Sequence, residues 1–221
     1  MLHKREILGT GLDLQRHNSY KIRSKPTPRE PGGYWSSKMG KHVGFESWVE
    51  RGHLVALDFA PEVTAIVSQP FWLCWRTPAG KPARHAPDFL ARLAGGGALV
   101  IDSRPRDVAD HDDRQAFAAT RRACEMLGWT YAVCGEMDPV VAANHRWIAG
   151  YRHPRCGDPA TEARLLEAFG PGLPLMEGAE AAGDPLATLP VLFHLMWRRE
   201  LAADLSLVLS HRTVVWRASR G

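Results

Sequence analysis

The segment that decides the fold is residues 87–104, with the sequence PDFLARLAGGGALVIDSR. Its apolar runs, 89–91 and 98–101, lie on either side of three glycines, a pattern that predicts two short strands joined by a turn. Asp88 begins the first strand and Asp102 ends the second, so we expect both acids at adjacent strand ends, beside the cation Arg104. Carboxylates in such a cluster are the ligands that Mg²⁺ needs to activate water beside a phosphate.

A third carboxylate lies on a predicted helix upstream of this hairpin. Apolar residues recur at intervals of four, three and four between Trp48 and Phe59, as on one stripe of an amphipathic helix. Glu50 is in line with Leu54 and Leu57, so its carboxylate should point toward a partly buried surface. A charge there is costly unless it is paired or bound to metal. Glu50, Asp88 and Asp102 therefore predict a metal site for phosphodiester hydrolysis.

The elements on either side of the hairpin predict an α/β fold. Strand-like runs occupy 63–69 and 71–76, and a helix that Gly128 ends is followed by a strand at 129–134. A strand, helix, strand succession implies a parallel crossover. Asp138-Pro139 then supplies an N-cap and a first-turn proline for another helix.

Composition excludes several classes of protein. The chain has 221 residues and a net charge of +4, which is compatible with a polyanionic partner. No apolar run approaches the length of a membrane span, and the N-terminus lacks the features of a signal peptide. The four cysteines form no Cys-x-x-Cys pair, which argues against zinc-ribbon and thioredoxin-like sites. We expect a cytoplasmic protein that does not contact a membrane.

Three regions are predicted along the chain. Residues 1–44 are rich in Lys, Arg, Pro and Gly without a sustained period, and we expect a basic N-terminal arm. Residues 45–153 would form the catalytic domain, because six of the sixteen prolines lie between 154 and 190 and suggest a boundary. In residues 154–221, a helix at 191–199, a short helical piece at 202–209 and a strand at 213–216 suit a helix-turn-helix relative with a partial wing.

An ordered series of motifs resembles the PD-(D/E)xK nucleases, and more specifically the TnsA-type endonuclease subunit of heteromeric transposases. The resemblance spans most of the chain. It is carried by residues 46–51 (ESWVER), 57–63 (LDFAPEV), 68–70 (SQP), 85–90 (HAPDFL), 100–105 (VIDSRP) and 138–147 (DPVVAANHRW). The resemblance identifies the helix acid as Glu50 rather than Glu46. Glu50 precedes Gln69 of the Ser-Gln-Pro motif by nineteen residues, which is the spacing of the acid in the family. Asp88 is the Pro-Asp acid and Asp102 the first position of the (D/E)xK pair.

The resemblance implies a restriction-endonuclease-like mixed sheet flanked by helices, followed by a small winged-helix-like C-terminal domain. It also implies a Mg²⁺-dependent DNA endonuclease, with Mn²⁺ as a substitute, that cuts double-stranded DNA at transposon 5′ ends during DNA recombination. Glu50, Asp88 and Asp102 would bind the metal, and Arg104 would complete the catalytic set. The implied partners are an integrase-type transposase subunit and an ATP-dependent transposition regulator.

Arg104 departs from the family pattern, which usually has lysine at this position. A guanidinium binds phosphate in a planar fork, whereas an ammonium is a compact charge that can approach the nucleophilic water. Two alternatives therefore stay open beside the transposase nuclease. One is a weak or inactive adaptor that recruits transposition proteins, and the other is a stand-alone restriction or repair nuclease.

Overall fold

A computed structural model of the chain describes residues 20–24, 32–104 and 111–219. The chain divides into two compact units, Met1–Glu136 and Met137–Gly221. In the described ranges the protein is a mixed α/β fold with several sheets and six α-helices. None of the helices in these ranges is both long enough and apolar enough to cross a membrane.

The first unit contains nine strands and two α-helices in its described residues. The strands are β1 (Tyr20–Ser24), β2 (Gly32–Ser36), β3 (Lys41–Phe45), β4 (Val63–Ser68), β5 (Phe71–Arg76), β6 (Pro82–His85), β7 (Phe89–Leu93), β8 (Ala98–Ser103) and β9 (Thr130–Cys134). The helices are α1 (Trp48–Phe59), which precedes β4, and α2 (His111–Met126), which lies between β8 and β9.

A four-stranded mixed sheet is the centre of this unit. Its order is β4-β7-β8-β9, with antiparallel pairing between the first three strands and parallel pairing between β8 and β9. The predicted hairpin, the helix before it and the parallel crossover through α2 are confirmed. Gly96 and Gly97 have positive φ in the hairpin turn, and Gly128 has positive φ after α2. These conformations suit glycine, which has no Cβ to clash.

A second sheet, of order β1-β5-β6, and the hairpin β2-β3 were not expected. The prediction that residues 1–44 form an arm without regular strands is wrong, because β1, β2 and most of β3 lie in this range. β1 is only five residues long, which is too short for a clear strand period in the sequence. Its backbone partners are in β5, far along the chain, so the pairing has no local signal. Residues 37–40 of the predicted arm form a turn, and residues 1–19 and 25–31 lie outside the described residues.

In its described residues, the second unit contains four α-helices and a small sheet. The helices are α3 (Pro139–Ile148), α4 (Pro159–Ala168), α5 (Leu175–Ala182) and α6 (Pro185–Trp197). The strands β10 (Leu173–Pro174), β11 (Leu201–Ala202) and β12 (Val214–Arg217) pair antiparallel in the order β10-β12-β11. Leu165, Phe169, Leu192 and Leu195 are fully buried in this unit.

The division at 136/137 differs from the boundary predicted at 153/154. The reason is that α3 packs within the second unit, against α6. Ile148 at its end is fully buried, and Asn144 in its middle hydrogen-bonds to the loop before β12. Helix α3 therefore belongs with the C-terminal region, although its start at Asp138-Pro139 is as predicted.

The helical piece predicted at 202–209 is wrong, since the chain between β11 and β12 is an irregular loop. Asn144 is 5% exposed and binds this loop through three backbone groups. Its Nδ2 donates to Leu205 O at 2.9 Å and to Leu207 O at 2.7 Å, and its Oδ1 accepts from Leu209 N–H at 3.2 Å. These bonds satisfy backbone groups that a helix would have paired with one another.

Candidate active site

Asp88 and Asp102 meet where β7 begins and β8 ends. The antiparallel ladder pairs Phe89 with Ile101, so its next position places Asp88 opposite Asp102. Side chains at opposite positions of such a ladder lie on the same face and interact directly. The backbone N–H of Ser103 donates to Asp88 Oδ2 at 2.6 Å, which holds the two strand ends together. The structure thus brings together the two acids of the opening segment.

Asp102 is fully buried, and both of its oxygens accept hydrogen bonds. Its Oδ1 accepts from His85 Nε2 at 2.9 Å, and its Oδ2 accepts from the Tyr131 hydroxyl at 2.5 Å. The parallel register places Tyr131 beside Val100, two residues before Asp102 and on the same face of β8. Burial and the Asp102 carboxylate both raise the pKa of Tyr131, so its hydroxyl remains a donor. These two contacts orient the Asp102 carboxylate.

Glu50 lies in the first turn of α1 and is 6% exposed. Its Oε2 accepts from the backbone N–H of Glu46 at 2.8 Å, and its Oε1 accepts from the hydroxyl of Ser47 at 3.0 Å. Ser47 is the N-cap, and its hydroxyl also accepts from the backbone N–H of Glu50 at 3.2 Å. Glu46, by contrast, is exposed and bonds to the side chain of Gln69.

Asp88 shows how closely the three acids lie. The pKa of Asp88 is raised to about 7, first by its burial and then by the charges of Asp102 and Glu50, against the opposing effect of the Ser103 N–H. Arg104 is a weaker influence and lowers the pKa. Negative charge on Asp102 and Glu50 makes it harder for Asp88 to ionise. Such crowding of buried anions is a common property of sites that bind cations or move protons.

The three carboxylates fit a divalent cation by their chemistry, since Mg²⁺ prefers oxygen ligands. In the described part of the chain, no three His, Cys, Asp or Glu side chains already stand in the arrangement of a metal site. The oxygens of Glu50 and Asp102 bond to protein donors, but a carboxylate oxygen has a second lone pair that can still bind a cation. A cation would also offset the charges of Asp102 and Glu50, which add to the effect of burial on the Asp88 pKa.

Arg104 points its guanidinium toward α2. Its Nε lies 3.7 Å from Asp113 Oδ1, and its charged carbon lies 5.9 Å from the centre of the Phe117 ring. Its Nη1 donates to Ser103 O at 3.2 Å. The Arg104 side chain is about one-third exposed, so a phosphate could reach it. The cation of the motif is therefore close enough to influence Asp88, but it is bonded to other groups.

Residues outside the predicted set also belong to the site. His53, one turn after Glu50, accepts from the Ser103 hydroxyl through Nδ1 at 2.8 Å and donates through Nε2 to Gly135 O at 2.8 Å. Burial lowers the pKa of His53, which keeps the ring neutral for both bonds. The spacing between Glu50 and His53 on one helix could have indicated His53. Tyr131 and His85 are brought in by strand pairing, for which the local sequence has no signal.

Gln69 connects the segment just before α1 with the residue just before β7. Its backbone N–H donates to Asp88 O at 2.7 Å, and its side chain donates to Glu46. Its φ of 43° is unusual for a residue other than glycine. Non-glycine residues persist in this conformation only when surrounding contacts hold them there. The Ser68-Gln69-Pro70 motif is thus a corner that sets the position of the Pro-Asp segment.

Comparison with known proteins adds no assignment. No family model matches the chain, and no curated protein matches it.

Proposed function

We propose that the chain is a metal-dependent DNA endonuclease whose metal ligands are Glu50, Asp88 and Asp102. The observation that carries this proposal is the raised pKa of Asp88 at the junction of β7, β8 and α1, which is caused first by burial and then by the charges of the buried Asp102 and Glu50. Asp58 provides a contrast within the same chain. That buried acid accepts five hydrogen bonds, from Tyr34, Ser36, Ser37 and Lys38, and needs no further partner.

Each residue has a separate role in the proposed reaction. A bound Mg²⁺ would supply a water of lowered pKa and neutralise charge on the scissile phosphate. Asp88 and Asp102 would hold the ion, with Asp102 oriented by His85 and Tyr131, and Glu50 would add a ligand from α1. The exposed part of the Arg104 guanidinium would bind a phosphate oxygen and stabilise charge that develops there.

The order of elements supports a restriction-endonuclease-like core. Such a core, as the sequence resemblance implies it, is a mixed sheet flanked by helices, with the acids on one helix and two adjacent strands. The first unit has helix α1, then β4, β7 and β8 in antiparallel order, then helix α2 and the parallel strand β9. This arrangement places the three acids on α1, at the start of β7 and near the end of β8.

The narrower proposal is a TnsA-type subunit that cuts the 5′ ends of a transposon beside an integrase-type partner. The second unit supports a winged-helix-like domain, because α4, β10, α5, α6, β11, a loop and β12 follow in that order and the sheet is ordered β10-β12-β11. Residues 191–197 of α6 are all buried, so this helix offers few side chains to a DNA groove. We therefore propose that this unit contacts other transposition proteins, including an ATP-dependent regulator.

The test is to replace Asp88 and to measure both metal binding and DNA nicking. Asp88→Asn keeps the size of the side chain and removes its charge, so calorimetric titration with Mn²⁺ should show a large loss of affinity. Nicking of supercoiled DNA in Mg²⁺, with and without the integrase-type subunit, should fall at least about a hundredfold, as expected when a metal ligand is lost. Glu62→Gln removes an exposed acid before β4 and should change neither. Retained nicking in Asp88→Asn would contradict the proposal.

A second candidate function is a nuclease-fold adaptor without catalysis. The observation that favours it is the position of Arg104, whose guanidinium bonds to Ser103 O and lies near Asp113 rather than on the acids. Arg104→Lys should increase Mg²⁺-dependent nicking if the lysine of the family restores the missing function. Failure of the parent to bind Mn²⁺, together with no gain in Arg104→Lys, would favour the adaptor.

A further inference from the structure

The sheet β1-β5-β6 has two chemically different faces. Residues that are paired across an antiparallel sheet share a face, and the register pairs Lys21 with Cys74 and Cys74 with Arg84. One face is apolar and packs into the core through Phe71 and Leu73, which are 2% and 0% exposed. The opposite face carries the cations. We name it the basic face and define it by four exposed residues: Lys21, Arg23, Arg76 and Arg84.

The basic face has positive charge without acidic neighbours on its own strands. Residues 20–24 and 71–85 contain no Asp or Glu, and Lys81 adds a further exposed cation in the turn between β5 and β6. Among the described residues, none of the four defining cations has an acidic partner within 4.0 Å. Arg198, by contrast, is neutralised by salt bridges to both Glu162 and Glu200.

Two of the cations are held in place by contacts that leave their charge exposed. The Arg84 guanidinium lies 4.6 Å from the centre of the Trp72 ring, a cation–π contact across the β5–β6 pair. Arg76 Nη1 donates to Gly80 O at 2.9 Å within the turn. Both arrangements reduce the conformational entropy that an arginine would lose on binding a ligand. The remaining N–H groups of each guanidinium can donate to phosphate oxygens.

The extent of the basic face suits a long polyanion. Lys21 and Arg84 are two strand spacings apart, about 10 Å, and Arg23 and Arg76 are four register positions apart, about 13 Å. Duplex DNA presents one charge per ~1.7 Å of its axis, so several phosphates lie within such a span. A small phosphate ester would contact only one or two of these cations.

We infer that the basic face binds the phosphate backbone of duplex DNA that flanks the cleavage site. This inference rests on the proposed function, since it assigns a surface to the DNA that Glu50, Asp88 and Asp102 would cut. Strand β6 connects the two, because Arg84 lies on the basic face while the next residue, His85, bonds to Asp102 on the other side of the sheet.

The experiment measures duplex binding separately from cleavage. The full-length chain is titrated into a fluorescently labelled mixed-sequence DNA duplex in EDTA, and anisotropy is recorded over a series of KCl concentrations. Arg23→Gln/Arg84→Gln should bind about tenfold more weakly, and the slope of log K against log[KCl] should become shallower by about two, because two phosphate contacts are lost. The control Arg92→Gln/Arg146→Gln removes two exposed arginines elsewhere and should match the parent.

A charge-conserving variant separates loss of charge from loss of fold. Arg23→Lys/Arg84→Lys should keep the salt slope of the parent, and circular dichroism should match for all variants. An unchanged affinity and slope in Arg23→Gln/Arg84→Gln, or a parent that does not bind the duplex, would overturn the inference. A parent that binds through the basic face but does not nick DNA in Mg²⁺, even with the integrase-type subunit present, would contradict the proposed function alone. If the parent nicks DNA but Arg23→Gln/Arg84→Gln binds the duplex as tightly as the parent does, only the inference about the basic face is overturned.

Discussion

Asp88 is the residue at which burial and charge conflict most directly. It is 8% exposed, and its pKa is raised from 3.8 to about 7 by burial and by the charges of Asp102 and Glu50. Asp58, which is 2% exposed, accepts five hydrogen bonds and thus has its burial compensated. The burial of Asp58 is therefore compensated by donors, whereas the burial of Asp88 is expressed in a raised pKa.

The raised pKa of Asp88 predicts how the stability of the metal-free protein depends on pH. The folded state holds the Asp88 proton more tightly than the unfolded state, so the free energy of unfolding falls as pH rises from 3.8 to about 7. The contribution is complete below this range and lost above it, and the shift corresponds to about 4 kcal/mol. Urea unfolding across this range, with EDTA present, measures it. Asp88→Asn should remove most of this decline, and an identical pH profile in parent and variant would contradict the prediction.

The loop between β11 and β12 is an element whose shape depends on one side chain from another element. Asn144 on α3 makes all three of the bonds described above with residues 205–209. Exposed apolar side chains lie at its tip, with Leu207 64% and Val208 70% exposed. Hydrogen bonds rather than burial thus hold the tip of this loop.

Replacing Asn144 should therefore loosen this loop without unfolding the unit. Asn144→Ala removes a donor and an acceptor that bind buried or partly buried backbone groups, at an expected cost of about 2 kcal/mol. Hydrogen exchange at Leu209 N–H should become faster, while exchange in α6 stays slow. The exposed Ala143→Ser, one position earlier on α3, is the control. Slow exchange at Leu209 in Asn144→Ala would show that other contacts hold the loop.

At the scale of the whole molecule, the two units have separate cores. The first is built around the mixed sheet, with Leu73, Leu90 and Val100 fully buried. The second is built around α4 and α6, with Leu165 and Leu192 fully buried. Each unit therefore has the apolar interior that independent folding requires.

Residues 137–221 should fold as an isolated fragment. Because its helices and its small sheet enclose their own apolar residues, the fragment should keep native circular dichroism and unfold in one cooperative transition. The measurement is urea unfolding followed by tryptophan fluorescence, which reports the buried Trp197 in α6. Leu192→Ala is expected to lower the free energy of unfolding by about 3 kcal/mol, since it leaves a cavity. A fragment without a cooperative transition would show that the first unit is required.

The amino-acid sequence by itself determined the elements whose signals are local. Apolar periodicity placed α1 and α2, glycine turns placed the β7–β8 hairpin, and Asp138-Pro139 placed the start of α3. The same hairpin put Asp88 and Asp102 at adjacent strand ends, because strands joined by a tight turn pair with each other.

Only the tertiary structure decided which distant residues meet. The pairing of β1 with β5, the bonds from His85 and Tyr131 to Asp102, and the hold of Asn144 on its loop join residues far apart along the chain. Short strands such as β1 and β6 have too few residues to show a period, and their stability comes from partners elsewhere in the fold. Burial, and with it the raised pKa of Asp88, exists only once those partners have packed around the acids.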